Sequence, residues 1–358
     1  MSTQTKPIAK TRSPRRMGKV WIMSLAALLV LAAPLVVGWQ MVGIDAVHAE
    51  FSNGSNPRSE YWREVRQGTA GYTTVKGQET GELIENSGQN WRQVRNGPVA
   101  TLGAWMIGIV VALLVLFHLT AGKAKLEQRT GRKIPRWTVF ERTLHWFVAV
   151  LFILLAITGL SLLYGRAVLI PVVGYDAFAA YAQFAKWTHD YLSLLFVVGL
   201  IVMLAIWFSD NFFTKVDWEW FKKGGGYIGK GHGSAYKVNA GEKVWFWILF
   251  VAGIGLMISG VVLLLPNLGF ERGTMQGANL VHAVTALVLS GFALGHIYLG
   301  TIGNEGTFEG MISGEVDEAW AKQHHDLWYK ETGGKGAAAE GGEQHAAGKT
   351  ATGQPGTT

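Results

Sequence analysis

Long apolar runs alternate with polar segments along this chain. Val20–Val37, Pro98–Thr120 and segments near 141–164, 187–208, 243–265 and 279–301 are each apolar enough to cross a bilayer as a helix. Positive charge collects in every second gap. Residues 1–19 carry Lys6, Lys10, Arg12, Arg15, Arg16 and Lys19; Lys123, Lys125, Arg129, Arg132, Lys133 and Arg136 follow the second run; Lys215, Lys222, Lys223, Lys230 and Lys237 follow the fourth. The excess of Lys and Arg on cytoplasmic loops places these three segments inside, and 45–97, 165–186 and 266–278 outside. The pattern predicts an all-α, polytopic membrane protein. A four-helix transmembrane bundle spans 141–303, with one or two additional N-terminal transmembrane helices.

The remaining boundaries follow. Residues 1–44 are a basic N-terminus with a signal peptide or first transmembrane helix. Ala49 offers a small-residue cleavage pattern, but far beyond the apolar core, which favours an uncleaved helix. Residues 45–97 read as a periplasmic segment ending in GQNWRQVRNG, a solvated linker or a docking element; 98–120 is an additional transmembrane helix and 121–140 a basic cytoplasmic loop. Residues 304–332 read as a cytoplasmic amphipathic extension lying against the membrane face, and 333–358 as a disordered tail rich in Gly, Ala and Thr. No internal repeat is evident.

Composition narrows the chemistry. The chain is 49% hydrophobic and 16% charged, outside the range of an ordinary soluble domain. Its net charge of +7 sits in the loops that set topology and argues little for nucleic acid. It has no cysteine, which excludes disulfides, iron–sulfur ligation, zinc-thiolate sites and CxxCH haem attachment. A redox cofactor held here depends on His or Met, so non-covalent haem b is the natural candidate.

The last apolar run, Asn279–Thr301, contains His282 and His296 but no Lys, Arg, Asp or Glu. Fourteen residues are close to four helical turns, so both rings leave one face, roughly 21 Å apart along the axis. Topology puts His282 near the outer side and His296 near the inner side; likewise it puts His189 outer and His145 inner. Two pairs at matching depth result, His189/His282 and His145/His296, each able to ligate one haem iron between neighbouring helices. The bland alternative is that each histidine hydrogen-bonds across a helix interface. Gly159, Gly199, Gly291 and Gly295 would admit a flat macrocycle, or serve plain helix packing. His118 reads as a packing or interfacial residue, the alternative being that it competes with His145. His324 and His325 read as a surface contact or a metal site. His48, His232 and His345 lie outside the apolar spans.

ERTLHW (Glu141–Trp146), KWTHD (Lys186–Asp190), YKVNAGEKVWFW (Tyr236–Trp247), VH…GHIY (Val281–Tyr298), GMISGEV (Gly310–Val316) and WAKQHHDLWYKE (Trp320–Glu331) carry a further signal. Over roughly 140–331 the chain resembles the gamma subunit of bacterial membrane-bound formate dehydrogenase, a cytochrome b556. The bis-histidine helix is shared with other dihaem cytochromes, such as hydrogenase b subunits; the NAGEK loop and the GMISGEV and HH segments are more particular. The first 140 residues depart from the shorter family pattern. The resemblance implies two b haems with the same ligand pairs, and an inner-membrane subunit with a cytoplasmic C-terminus. It implies a molybdenum- or tungsten-containing catalytic (alpha) subunit and an Fe–S (beta) subunit as partners, with formate oxidised on another chain. It also implies a site for ubiquinone or menaquinone beside the inner haem, formed by Asn239, Ala240, Gly241 and His296, with Lys243 helping to relay a cytoplasmic proton. From the residues alone, KVNAGEK reads as a turn into the next helix with Asn239 as its cap. Two other functions stay open: a dihaem b subunit of another respiratory dehydrogenase, such as a hydrogenase, and a haem-free structural anchor.

Overall fold

Helix starts in this chain are written as capping boxes. Thr138 accepts from Glu141 N while the Glu141 carboxylate accepts from Thr138 N, and Asn239 and Glu242 repeat the exchange. Each exchange satisfies two donors that a helix N-terminus leaves free. The computed structural model describes Arg63 and residues 86–226 and 233–334. The first apolar run, most of residues 45–97, His48, His232, His345 and the tail from 335 lie outside the described residues.

The long helices are α2 (Ala100–Ala121), α3 (Val139–Val168), α4 (Tyr175–Trp207), α6 (Ala240–Leu264) and α7 (Arg272–Tyr298). A preceding helix, α1 (Asn86–Val94), runs into α2 through a π-turn, Arg95–Val99. Pro98 sits inside that turn, where the wider hydrogen-bond spacing tolerates its missing N–H. The helix therefore begins well before the boundary expected at residue 98, and GQNWRQVRNG is part of it. Trp91 Nε1 donates to Asn279 Oδ1 at 3.3 Å, tying this segment to the start of α7. Among the described residues five helices are long and apolar enough to cross a membrane. Between 6% and 28% of each span's most apolar window is buried, so most of the apolar surface faces outward, as lipid requires.

α3 lies along α4, and α6 along α7, giving two antiparallel hairpins. Their closest contact is between α4 and α6, where a Cβ on Gly253 would meet Leu200 at 2.8 Å. The buried core there holds Val148, Leu151, Phe196, Leu200, Met203, Phe246, Leu249 and Leu289. Additional helix α2 covers the back of α7, with Gly291 against Met106 and Val110. His118 of α2 lies 3.2 Å from the Tyr298 hydroxyl. It is a packing residue and does not join His145.

The basic loop and the C-terminal extension interleave instead of lying separately. β1 (Lys133–Pro135) pairs antiparallel with β2 (Glu315–Asp317), and helices α8 (Thr307–Ser313), α9 (Glu318–His324) and α10 (Asp326–Glu331) surround the pair; α5 (Lys215–Lys222) lies in the neighbouring loop. Ile134, Val316, Trp320, Ala321 and Trp328 form a second small core, which explains why 304–332 does not lie as one surface helix. The fold remains helical, with this one short ladder added. Gly314, at φ +88°, closes α8; its carbonyl accepts from Arg136 N and Trp137 N, and a Cβ there would strike the Trp137 carbonyl oxygen at 2.7 Å.

Arg136 and His325 are buried together in this cap. The guanidinium lies between the Trp137 and Trp320 rings, 4.8 and 4.7 Å from their centroids, and donates to Glu242 at 3.1 Å and to the Lys237 carbonyl at 2.8 Å. His325 is wholly buried, with Nδ1 donating to the Tyr236 carbonyl at 2.6 Å and Nε2 facing Arg136 Nη2 at 3.3 Å. The expected surface role for His325 is therefore wrong: the ring fills the small core beside Trp320. Burial, and then the Arg136 charge, push its pKa down from 6.5 to about 4. A depressed histidine stabilises the fold above its unfolded pKa, and that stability fades as pH falls from 6.5 toward about 4. The cap is expected to loosen over this window by on the order of 2–3 kcal/mol. Hydrogen exchange over 315–331, corrected for its intrinsic pH dependence, should lose protection across the same interval.

Candidate functional site

α7 aims both of its histidines across the gap between the hairpins. His296 meets His145 of α3, with ring centroids 6.3 Å apart and planes at 59°. His282 meets His189 of α4, with centroids 6.1 Å apart and planes at 71°. The first pair lies toward the end of the bundle that carries the β1–β2 cap, and the second toward the opposite end. All four rings lie within the helical spans, where an ionisable side chain is costly unless it has a task or a partner.

These separations test whether the residues suit haem iron. A ring nitrogen lies about 1.1 Å from its imidazole centre and an iron–imidazole bond is about 2.0 Å, so two imidazoles across one iron have centroids roughly 6.2 Å apart. Both pairs fit that span. Direct hydrogen bonding between the rings would bring them closer. A smaller apolar cavity, about 100 Å³, borders His189 and His282 and is lined by Phe152, Phe196, Leu256 and Met257.

The hydroxyls behind the second pair escape a reading of histidines alone. Thr158 Oγ1 lies 2.9 Å from His189 Nδ1, and Ser259 Oγ lies 3.1 Å from His282 Nδ1. The following glycines make room for the rings: a Cβ on Gly159 would meet His189 Cε1 at 3.2 Å, and one on Gly260 would meet His282 Cε1 at 3.5 Å. The signal was present as Ile157-Thr158-Gly159 in the first hairpin and Ile258-Ser259-Gly260 in the second, a local repeat that overall self-similarity does not reveal. Of the other small residues, Gly199 packs on Phe147 and Val148, and Gly291 packs on α2.

A second cavity, about 280 Å³, opens beside His296 and is lined by Asn239, Gly241, Trp245 and Gly295 as well as His324 and His325. That is at the low end for a small-molecule site. Trp245 stacks flat on His296, centroids 4.8 Å apart and planes within 12°. Asn239 is the N-cap of α6, so its Oδ1 is engaged by Glu242 N at 3.0 Å and its amide N–H groups remain to donate. Ala240 is fully buried and is not part of the lining. Lys243 is not part of it either: its ammonium is buried against Asp217 at 2.8 Å. The structure thus brings Asn239, Gly241 and His296 together and leaves Ala240 and Lys243 out. His324 lies 5.4 Å from the Trp320 ring, and no cluster of three metal-ligating side chains occurs among the described residues.

Comparison with known proteins covers the same region. The family described as prokaryotic cytochrome b561 matches residues 136–314. The formate dehydrogenase cytochrome b556(fdo) subunit of Escherichia coli K12 is 29% identical over 202 residues, 55% of this chain and 92% of that protein. The nitrate-inducible formate dehydrogenase cytochrome b556(Fdn) subunit of the same organism is 28% identical over 211 residues, 56% and 92% respectively. The formate dehydrogenase cytochrome b556 subunit of Haemophilus influenzae is 27% identical over 215 residues, 58% and 87%.

Proposed function

The chain belongs to the prokaryotic cytochrome b561 family, and on that footing we propose that it is the cytochrome b (gamma) subunit of a membrane-bound formate dehydrogenase. Family membership implies haem b, and the five apolar helices make this a multi-pass bacterial membrane protein. The finer reading is a protein of the inner membrane with its C-terminus in the cytoplasm. It holds two b haems, one between His189 and His282 and one between His145 and His296. Bound there, the haems supply one-electron carriage between an Fe–S (beta) subunit of the complex and membrane quinone. Formate is oxidised on the alpha subunit.

The chain's own contribution is ligation, spacing and enclosure. α7 fixes both ligands to one rigid rod, about 21 Å apart. The walls around His189 and His282 are mostly apolar. Beside His296, the Asn239 amide offers a donor to a quinone carbonyl, and Gly241 makes room for the Trp220 ring, 3.1 Å from where its Cβ would lie. The observation that supports this reading most is the two facing imidazole pairs at the separation a shared iron requires.

The test is a reduced-minus-oxidised spectrum of the purified complex together with its haem content. Two b-type haems per chain are the expected result. A chain that purifies intact without haem absorbance would be a structural anchor, and the proposal would fall.

A further inference from the structure

The two histidine pairs are held differently on the side away from the facing ring. Thr158 Oγ1 gives its own hydrogen to the Leu154 carbonyl at 2.8 Å, and Ser259 Oγ gives its hydrogen to the Gly255 carbonyl at 2.6 Å. With its hydrogen committed inside its own helix, each hydroxyl oxygen faces the imidazole as an acceptor. His189 Nδ1–H and His282 Nδ1–H are therefore the donors, at 2.9 and 3.1 Å. This fixes the tautomer of both rings and leaves each Nε2 lone pair for the partner side.

The other pair has no such backing. His145 Nδ1 is enclosed and has no hydrogen-bond partner among the described residues. His296 is positioned by the flat face of Trp245. An imidazole that donates its second N–H is a more basic ligand than one that does not. A more basic axial pair favours ferric over ferrous iron and lowers the reduction potential.

Resting on the ligation proposed above, we propose that Thr158 and Ser259 are positioning residues that lower the reduction potential of the haem held by His189 and His282, making it the lower of the two. The hydroxyls do not touch iron; they act through the rings they accept from. The two hairpins supply one each, so their effects on a single haem should add.

The test is a redox titration of the whole complex in membranes, followed by b-haem absorbance. Wild-type protein should give two one-electron waves, and loss of one in His282→Ala identifies the haem in question as the lower wave. Thr158→Val and Ser259→Ala should each raise that wave by about threefold in the ferric/ferrous equilibrium, and together by nearly tenfold, where tenfold is about 59 mV for one electron. Thr158→Ser and Ser259→Thr keep the hydroxyl and should titrate as wild type. The other wave should stay in place throughout. The inference is overturned if His282→Ala removes the upper wave, or if the hydroxyl-free variants bind haem and leave the lower wave unmoved. Finding fewer than two haems in wild type would instead overturn the ligation itself, a separate result visible before any variant is made.

Discussion

His296→Ala is expected to drop the haem content from two per chain to one and to bring quinone reduction down to background. Formate oxidation with an artificial acceptor should persist. Two observations combine at this residue: its ring faces His145 at the span of a shared iron, and it lines the 280 Å³ cavity with Asn239 and Gly241. His282→Ala, on the same helix, should also lose one haem, but that haem is the one distant from the cavity. Difference spectra of the two variants should therefore be complementary. Retention of both haems, or unchanged quinone reduction, in His296→Ala would contradict the assignment.

The second large effect concerns stability. Lys243 and Asp217 form an ion pair whose side chains are 3% and 5% exposed, with Nζ to Oδ2 at 2.8 Å. Asp217 also accepts from Thr214 N and Oγ1 at 2.6 and 2.9 Å, so it ties the start of α5 to the start of α6. Lys243→Met leaves a buried carboxylate without its cation, at a cost of about 3 kcal/mol. The measurement is the apparent Tm of the complex in detergent, which should fall by several degrees. Replacing both partners with apolar residues of similar volume should recover most of the loss, because two desolvation penalties disappear together. If Lys243→Met melts like wild type, the pair contributes nothing net.

Hydrophobic run length and charge alternation exposed the spans, because lipid leaves little freedom in how long an apolar helix must be. Pairing of the histidines by depth was equally legible, since 14 residues of helix fix both spacing and face. What could not be read concerned contacts between segments distant in sequence. The β1–β2 pairing joins Lys133 to Asp317, and neither three-residue strand announces itself locally. Burial of His325 depends on a core shared by Ile134, Trp320 and Trp328, so adjacent histidines in a polar segment looked superficial. Lys243 looked available for proton relay because its partner, Asp217, lies 26 residues earlier in another helix, α5. Asn239 was read as a cap and also, by resemblance, as a binding residue. The capping geometry is present, and its amide also reaches the cavity lining.

The π-turn at Pro98 has a consequence for reach. It lets one unbroken rod run from Gly88 to Ala121, 34 residues, and α4 is nearly as long at 33. At 1.5 Å per residue each measures about 50 Å, against roughly 30 Å of hydrocarbon. Some 20 Å of each rod exceeds the oily layer, so each tilts or projects beyond it. A projecting end is stiff, because its backbone hydrogen bonds are made within the helix, and its height is set by helix length and not by the bilayer surface.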